Sequence, residues 1–334
     1  MRQVTILGAG SFGTALSAHL ALAGHHVRLW ARDAALAAEI DQRRENAVYL
    51  PGVELPASVT SSSQLRQALD GSELIIVAVP SHGLRHVMEA ARPFLPSGAA
   101  IVSTTKGLEE GTLLRMSQLL GEAVGDACPV AVLSGPSFAS EVAKGMPTAV
   151  VVAAADARTV ALVQDEFRGR FLRVYGSEDV VGVEIGGALK NVIAIAAGVV
   201  EGMGLGPNAQ AALVTRGLAE ITRLASALGG KRETLAGLAG LGDLVLTCTG
   251  ALSRNRHVGI QLAHGRSLDE IVGTMKMVAE GVRTTQAALD LGLRHGVELP
   301  IAAQIADVLA GRKDARTALK DLMLRPQRAE VDAG

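Results

Sequence analysis

One lysine interrupts an otherwise apolar and small-residue stretch, VVGVEIGGALKNVIAIAAGVVEG (residues 180–202). The pattern predicts a single helix that is buried on nearly every side, and Lys190 is its only Lys or Arg. An unpaired buried ammonium costs several kcal/mol, so this side chain needs an anionic partner, a solvated cavity or a chemical task. A lysine that reaches the surface from one edge of the helix is the alternative interpretation. The rest of the sequence favours a catalytic lysine.

A carboxylate that suits this lysine follows later in the chain. In the string LGDLVLTCTG, Asp243 and Thr247 lie at positions i and i+4, on one face of a helix. Asp243 is therefore the candidate anion for Lys190, and Asn191 stands beside the lysine as a further polar candidate.

The string SRNR (residues 253–256) has the composition of a phosphate site at the start of a helix. Arg254 offers a bidentate cation, Asn255 an amide donor, and the first turn its free N–H groups. Arg256 is expected to face solvent instead. The alternative is a polar cap on a surface helix.

These residues require a scaffold, and the N-terminus predicts one. Val4–Leu7 is predicted as a strand, GAGSFG follows it directly, Thr14–Ala23 is predicted as a helix and His26–Trp30 as the next strand. A GxGxxG string between a first strand and a helix indicates a dinucleotide-binding βαβ unit.

Each glycine of this string has a physical role. Gly8 permits the tight turn, Gly10 allows a pyrophosphate to approach the backbone, and Gly13 allows close packing of helix on strand. The N–H groups of Ser11 and Phe12 would then face the phosphates at the positive end of the helix.

Two neighbouring residues bear on the choice of cofactor. Asp33 lies about 20 residues after the glycines, where an acidic residue binds the adenosine ribose of NAD. Arg32 comes first after the strand and suits the 2′-phosphate of NADP. We favour NADP, with NAD as a second acceptable cofactor.

The alternation of strands and helices continues, and two polar side chains follow strand ends. Ligands of open α/β sheets bind at the carboxyl ends of strands, so Lys106 and Ser137 are candidate site residues. The alternatives are a solvated loop lysine and a helix cap. The strands predicted here are Glu73–Val79, Ala99–Ser103, Val130–Leu133, Thr148–Ala153 and Phe171–Tyr175.

After Tyr175 the pattern becomes helical, and Gly176 is the predicted boundary. The fold class predicted is α/β, with an N-terminal Rossmann-like, mostly parallel sheet (residues 1–176) and a C-terminal all-α domain (residues 177–334) that carries Lys190. The further helices predicted are Ala209–Leu228, Arg254–His264, Leu268–Thr274, Thr284–His295 and Ile301–Ala310.

Composition excludes several classes of function. Aromatic residues make up 2% and the net charge is −1, which argues against a nucleic-acid surface. Cys128 and Cys248 are the only cysteines, which indicates a reducing compartment, and the histidines show no metal-ligand spacing. We find no secretory signal and no apolar run near the ~18 residues of a membrane span, and therefore expect a soluble, cytoplasmic protein without an integral membrane segment.

A dinucleotide site, a lysine and a phosphate site together indicate hydride transfer to a small phosphorylated ketone. Lys190 would donate the proton that the developing alkoxide needs, and its ammonium would stabilise the negative oxygen.

Several ordered strings sharpen this expectation: GAGSFGTAL, TTKGLE, LSGPSFASEVAKGMPTA, EIGGALKNVIAIAAG, AALVTRGLAE, LAGLGDLVLTCT, SRNRHVG and VAEGVRTT. Through them the sequence resembles bacterial NAD(P)-dependent glycerol-3-phosphate dehydrogenases over nearly its whole length. The resemblance implies reduction of dihydroxyacetone phosphate to sn-glycerol 3-phosphate, which supplies the phospholipid backbone.

The resemblance also implies roles for individual residues. Lys190 matches the proton donor and acceptor, and Lys106 a residue that contacts both cofactor and substrate. Cofactor contacts are implied for Ser11, Phe12, Arg32, Ala139, Arg254, Val278 and Glu280. Substrate contacts are implied for Gly135, Ser137, Asp243, Ser253, Arg254 and Asn255, to which we add Asn191 and Thr247. By itself, Glu280 would be interpreted as an exposed helix carboxylate.

Two other functions stay open at this point. One is a β-hydroxyacid dehydrogenase of the 6-phosphogluconate or ketopantoate reductase type, which joins a dinucleotide domain to a helical domain with a catalytic lysine. The other is a non-catalytic NADPH sensor. An apolar helical domain also makes a homodimer plausible.

Overall fold

The computed structural model describes residues 1–275, 277–327, 329 and 330. Its strands form one sheet in the described part of the chain. In chain order they are β1 (Gln3–Leu7), β2 (His26–Trp30), β3 (Val59–Ser62), β4 (Leu74–Val77), β5 (Ala100–Ser103), β6 (Val130–Ser134), β7 (Thr148–Ala154) and β8 (Leu172–Ser177).

The helices of the N-terminal half lie between these strands. They are α1 (Ser11–Leu22), α2 (Ala34–Arg43), α3 (Leu65–Leu69), α4 (Ser81–Ala91), α5 (Met116–Val124), α6 (Ala139–Ala143) and α7 (Ala157–Glu166), with short 3₁₀ turns at Arg92–Phe94 and Gly125–Ala127.

The C-terminal half, as far as it is described, is helical. Its helices are α8 (Val180–Gly202), α9 (Gly206–Ala227), α10 (Arg232–Leu235), α11 (Asp243–Thr249), α12 (Arg254–Ala263), α13 (Leu268–Gly273), α14 (Glu280–Arg294), α15 (Pro300–Leu309) and α16 (Ala315–Met323). A π-helical turn, Leu238–Gly242, runs directly into α11.

The sheet has the strand order β3-β2-β1-β4-β5-β6-β7-β8. Strands β1 to β6 are parallel, β7 pairs antiparallel with β6, and β8 pairs parallel with β7. The chain order reverses at β1, which lies between β2 and β4. Leu7 at the end of β1 is in register with Trp30 and Val77, so the three strands end side by side. This is the switch point at which open α/β sheets bind ligands, and the predicted fold class is confirmed.

The strand boundaries differ from the predicted ones mostly by a residue or two. Only the fully buried centre of the apolar run at β4 forms the strand, because its ends turn away to enter the flanking loops. The strand β3 was missed, because it lies at the edge of the sheet and three of its four residues, VTSS, are polar. β8 continues through Gly176 to Ser177, so the strand ends one residue beyond the predicted boundary. The division into two domains itself stays a prediction.

Helix α8 has the predicted bounds and is the core of the helical half. It packs against α9, α11, α12, α14 and α15. Its small residues allow a close crossing with α12: a Cβ on Gly198 would overlap the carbonyl oxygen of Arg256, and one on Gly259 would overlap that of Ile195. Gly198 of α8 and Gly259 of α12 therefore allow the two helix backbones to approach closely.

By length and composition α8 is apolar enough to cross a membrane, with 23 residues and a mean hydropathy of 1.6. The expectation that no apolar run approaches a span was therefore wrong. Of its most apolar window, 83% is buried inside the protein, and core helices of soluble proteins pass the same test. The bent pair Arg232–Thr249 and Arg254–Ala263 passes the test only when its two parts are taken together.

Three main apolar clusters hold the described chain together. Two lie on opposite faces of the sheet, one beneath α1 and α7 and the other beneath α4 and α5. The third surrounds α8. One of the smaller clusters joins the sheet to α8 and the π-helical turn; it consists of Val132, Ala153, Val183 and Ala239. This contact places the end of β6 next to α8, where Ser134 lies beside Gly187.

Candidate active site

The glycine string forms the turn between β1 and α1. Gly8 has a φ of +119°, which favours glycine, and a Cβ on Gly13 would overlap the carbonyl oxygen of Gly8. In front of Gly10 the space is open, with no atom within 4 Å of the position of a Cβ. The first N–H groups of a helix have no intrahelical partner, and α1 already starts at Ser11, earlier than predicted. The turn therefore fits the pyrophosphate of a dinucleotide.

The side chains of Ser11 and Phe12 are engaged with the protein. The Ser11 hydroxyl donates to the carbonyl oxygen of Tyr49 at 2.6 Å and lies 3.1 Å from the Sδ of Met277. Phe12 packs against an apolar cluster that includes Leu50. Their backbone N–H groups are thus the atoms that suit a phosphate, as the sequence predicts.

The geometry separates the two candidates for the adenosine ribose. Asp33 caps α2, where its Oδ1 accepts the N–H groups of Ala35 and Leu36 at 2.8 and 3.3 Å. Arg32 is exposed just beyond the carboxyl end of β2. Asp33 therefore has a structural role through Oδ1, and the exposed guanidinium of Arg32 suits a phosphate.

Two lysines and one aspartate form the centre of the site. Lys190 Nζ lies 2.9 Å from Oδ1 of Asp243, and Lys106 Nζ lies 2.5 Å from Oδ2. The side chains of Lys190 and Asp243 are only 8% and 2% exposed. Lys106 follows the end of β5, Lys190 lies at the middle of α8, and Asp243 is the first residue of α11. Neither lysine is therefore a solvated surface residue, and Asp243 is the predicted anionic partner.

The surroundings of Lys190 lower its pKa. Burial is the largest cause and the nearby Lys106 ammonium adds to it, while Asp243 opposes both; the pKa of Lys190 is about 8. The pKa of Asp243 is below its usual range, because the two lysines outweigh the effect of burial. The lysine is therefore near the point at which it can both give and accept a proton close to neutral pH.

Thr247 connects this centre to its own helix. Its hydroxyl lies 2.7 Å from Lys190 Nζ and 2.6 Å from the carbonyl oxygen of Asp243. The i and i+4 relation predicted for Asp243 and Thr247 is realised on α11. The adjacent Cys248 is buried, and burial raises the pKa of its thiol to about 12, so it stays protonated. A further hydroxyl, the Oγ of Ser134 at the end of β6, is buried near Gly187 of α8.

The loop after β6 supplies the other wall of the site. Gly135 has a φ of +134°, and its carbonyl oxygen accepts from Lys106 Nζ at 3.1 Å and from the Ser137 hydroxyl at 3.0 Å. Helix α6 begins at Ala139 with Phe138 as its N-cap, so Ser137 does not cap that helix. The loop therefore fixes Lys106 and places the Ser137 hydroxyl beside it.

The start of α12 brings together the residues predicted to hold a phosphate. The Ser253 hydroxyl caps the helix by accepting the N–H of Arg256. Arg254 is exposed and donates to the carbonyl oxygen of Val278 at 2.7 Å. Asn255 is buried, and its amide bridges α8 to α14 by donating to Asn191 at 2.9 Å and accepting the Gly281 N–H at 2.9 Å.

The prediction that Arg256 faces solvent is wrong. It forms an ion pair of 2.5 Å with Glu201 at the end of α8, which leaves Arg254 as the available cation. The ion pair lies near the close crossing of α8 and α12, where the short distance between the two helices brings the charges together.

Glu280 is not the exposed helix carboxylate that its sequence suggests by itself. Its two oxygens accept the N–H and the hydroxyl of Ser81 at 3.0 and 2.5 Å. Ser81 begins α4, directly after β4, and Glu280 begins α14. This contact therefore joins the helical half to the loop after β4, beside the switch point. Sequence reasoning gave Ser81 no role, although its position directly after a strand in VPSH was a signal.

Models of one protein family match both halves of the chain. Residues 3–160 match the family model of the NAD-dependent glycerol-3-phosphate dehydrogenase N-terminus, and residues 179–320 match that of the C-terminus. The chain is 50% identical over 332 residues to glycerol-3-phosphate dehydrogenase [NAD(P)+] of Moorella thermoacetica, covering 99% of this chain and 98% of the relative. It is 52% identical over 338 residues to the enzyme of the same name from Acidobacterium capsulatum, covering 99% of this chain and all of the relative.

Solved structures are similar as well. The crystal structure of glycerol-3-phosphate dehydrogenase from Coxiella burnetii is 39% identical with a TM-score of 0.93, and the match covers 97% of this chain and 99% of that one. A ketopantoate reductase from Ralstonia eutropha matches with a TM-score of 0.57 at 17% identity, over 96% of this chain and 99% of that one. At that identity the second likeness shows the fold alone.

Proposed function

The chain belongs to the NAD-dependent glycerol-3-phosphate dehydrogenase family, and on that premise we propose that it reduces dihydroxyacetone phosphate reversibly to sn-glycerol 3-phosphate with NAD(P)H. The observation that carries this proposal is the buried Lys190, paired with Asp243 and next to Lys106 at the carboxyl ends of the strands. Such a centre suits a reaction in which a carbonyl oxygen gains a proton.

Lys190 transfers the proton of the reaction. When bound at the glycine turn, NAD(P)H supplies the hydride. The Lys190 ammonium donates a proton to the substrate oxygen as that oxygen becomes an alkoxide, and it takes the proton back in the reverse direction. Thr247 and Asp243 hold the amine in place, and Lys106 adds a second positive charge that stabilises the developing negative oxygen.

The substrate phosphate is proposed to bind at the start of α12. Arg254 provides the cation, and the first turn of the helix provides N–H groups with a partial positive charge. Ser253 and Asn255 shape this turn through the cap and the amide bridge to α8. We propose Gly135, Ser137 and Asn191 as the remaining substrate contacts.

The cofactor is proposed to span both halves of the chain. Gly8, Gly10, Ser11, Phe12 and Gly13 would hold its pyrophosphate, and Arg32 its 2′-phosphate. The proposed contacts near the nicotinamide end are Lys106, Ala139, Arg254, Val278 and Glu280. Residues 1–176 would thus form the dinucleotide-binding domain and residues 177–334 the helical substrate domain.

The resemblance supports three broader proposals. The product would feed glycerophospholipid synthesis, the protein would act in the cytoplasm, and it would assemble as a homodimer. The function of a β-hydroxyacid dehydrogenase is less well supported, because the ketopantoate reductase match reaches only the fold.

Steady-state kinetics test the proposal directly. The full chain is assayed with dihydroxyacetone phosphate and either NADPH or NADH, and in parallel with ketopantoate. We expect turnover of dihydroxyacetone phosphate, and a loss in kcat of roughly 10²-fold or more in Lys190→Ala with cofactor binding retained. Turnover of ketopantoate alone, or near-normal kcat in Lys190→Ala, would contradict it.

A further inference from the structure

A second buried carboxylate on α8 reaches into the N-terminal half of the chain. The side chain of Glu184 is 6% exposed. Its Oε2 accepts from Arg115 Nη1 at 2.5 Å and from the Ser117 hydroxyl at 2.6 Å, and its Oε1 accepts the Ser117 N–H at 2.7 Å. Arg115 and Ser117 lie at the start of α5, so this carboxylate ties α5 to α8.

The chain between Lys106 and Arg115 folds back on itself. Leu108 and Arg115 form an antiparallel bridge, and the N–H of Glu109 donates to the carbonyl oxygen of Leu114 at 2.9 Å. A residue fixed at the end of this loop therefore fixes its beginning, where Lys106 is located. We name residues 106–115 the lysine loop.

The lysine loop is held against the helical half along its length. Leu108 and Leu113 are 3% and 7% exposed and belong to the apolar cluster around α8. Leu113 has a φ of +64°, a conformation that a leucine adopts only when its surroundings enforce it. Apolar contacts thus hold the middle of the loop, and Glu184 binds its end at Arg115.

Glu184 and Lys190 share one helix, whose internal hydrogen bonds fix their separation. We propose that Glu184 is a positioning residue: by binding Arg115 and Ser117 it sets the lysine loop, and so places Lys106 against Asp243 and Lys190. This inference rests on the proposed function, in which Lys106 acts at the reacting oxygen.

The choice of residue supports this role. A carboxylate accepts all three donors at once, whereas an amide loses the ion pair with the 17% exposed Arg115 and a methyl group loses every bond. Loss of one partner from a buried pair leaves the other charge uncompensated. The end of the lysine loop would then move, because its other contacts do not bind the Arg115 side chain. These are the apolar contacts of Leu108 and Leu113 and the ion pairs of Glu109 with Arg85 and of Glu110 with Arg283.

The test compares variants of two buried carboxylates. Glu184→Ala and Glu184→Gln are compared with Glu220→Ala and Glu220→Gln. Glu220 is also buried in the helical half, and it accepts the N–H groups of Ile301 and Ala302 at the start of α15, away from the lysines. Both carboxylates therefore bind backbone N–H groups, and only one of them touches the lysine loop.

We expect Glu184→Ala to lower kcat for dihydroxyacetone phosphate about tenfold or more at saturating NADPH. Glu184→Gln is expected to lower kcat by a smaller factor than Glu184→Ala. The pH at which kcat/KM for reduction declines should move upward, because Lys190 loses the neighbouring charge of Lys106 and keeps Asp243 to itself; Cys248, the other group facing it, stays a neutral thiol. The Glu220 variants should lower thermal stability without either change.

Hydrogen exchange gives a readout that does not need turnover. Amides of residues 107–117 should exchange faster in Glu184→Ala than in the parent and in Glu220→Ala. Ser117→Ala removes the hydrogen bonds of the hydroxyl to Glu184 and Arg115 and leaves the ion pair and the Ser117 N–H bond. It should change kcat and exchange in the same direction as Glu184→Ala but by less, and it provides the test if Glu184→Ala does not fold.

The outcomes separate the two claims. A parent protein without activity on dihydroxyacetone phosphate overturns the proposed function, and the exchange measurement still decides whether Glu184 holds the loop. An active parent with unchanged kcat, pH profile and exchange in the Glu184 and Ser117 variants overturns the inference. The inference is also overturned if the Glu184 variants change kcat, the pH profile and exchange by the same amounts as the Glu220 variants.

Discussion

Lys106 and Lys190 bind opposite oxygens of a single carboxylate, at 2.5 and 2.9 Å, although one follows a strand of the sheet and the other lies on the core helix of the helical half. Asp243 therefore offsets two positive charges in a buried place. With one negative charge for two ammonium groups, the centre carries excess positive charge, which suits a developing alkoxide and a phosphorylated substrate.

The pH dependence of the reaction follows from the pKa of Lys190, which is about 8. In reduction the ammonium donates the proton, so kcat/KM is expected to decline as pH rises through about 8. In oxidation the neutral amine accepts the proton, so the rate should increase over the same interval. Initial rates in both directions between pH 6 and about 10 check this prediction. The same pH dependence of the rate for reduction and for oxidation would contradict it.

Replacement of Asp243 by Asn should affect both activity and stability. Without the carboxylate the two lysines repel each other, and the pKa of Lys190 falls further. The decline of reduction should therefore move to lower pH, opposite to the shift expected for Glu184→Ala. The loss of a buried partner should also lower the free energy of unfolding by about 3–5 kcal/mol. Denaturant unfolding and the pH profile of kcat/KM measure the two effects.

Arg254→Ala should discriminate between phosphorylated and unphosphorylated substrates. We expect kcat/KM for dihydroxyacetone phosphate to fall about 10- to 100-fold, the scale of a lost charged hydrogen bond, with little change for dihydroxyacetone. Arg256→Ala is the matched control, because that guanidinium is paired with Glu201. Equal losses on both substrates would rule out the phosphate assignment.

Arg32→Ala should change the preference between cofactors. The exposed guanidinium beyond β2 is proposed to bind the 2′-phosphate, so the KM for NADPH should increase about tenfold or more while that for NADH changes little. Asp33→Ala removes the cap of α2 and serves as the control. It should lower stability and leave the ratio of the two KM values unchanged. A higher KM for NADH in Asp33→Ala would instead assign the ribose to Asp33.

Gly198→Ala should destabilise the helical half. Its Cβ would overlap the carbonyl oxygen of Arg256 on α12, and the two backbones would have to separate, at a cost of about 1–3 kcal/mol or more. Gly121→Ala on α5 has open space around its Cβ and should be neutral or slightly stabilising, since alanine favours a helix. Thermal unfolding of the two variants provides the comparison, and equal melting temperatures would refute the close crossing.

Patterns of neighbouring residues in the sequence predict the elements whose structure depends on short-range interactions. The continuous run of apolar and small residues predicts α8 with the bounds that the structure has, and the glycine string predicts the turn after β1, because both follow from backbone geometry and burial. Strand ends were less accurate, and β3 was missed, since an edge strand of Val-Thr-Ser-Ser carries little apolar signal. The family resemblance supplied most of the individual site residues, and their roles stay predictions.

By itself the sequence determined that Lys190 lies on an apolar helix, and it made Asp243 the candidate anion, because an unpaired charge on a buried helix is costly. Only the tertiary structure decided that Lys106 shares this anion, that Glu280 turns inward to Ser81, that Arg256 pairs with Glu201, and that Glu184 fastens the lysine loop. These contacts join residues far apart in the chain. Their geometry depends on how the sheet and the helices pack, and no local pattern records it.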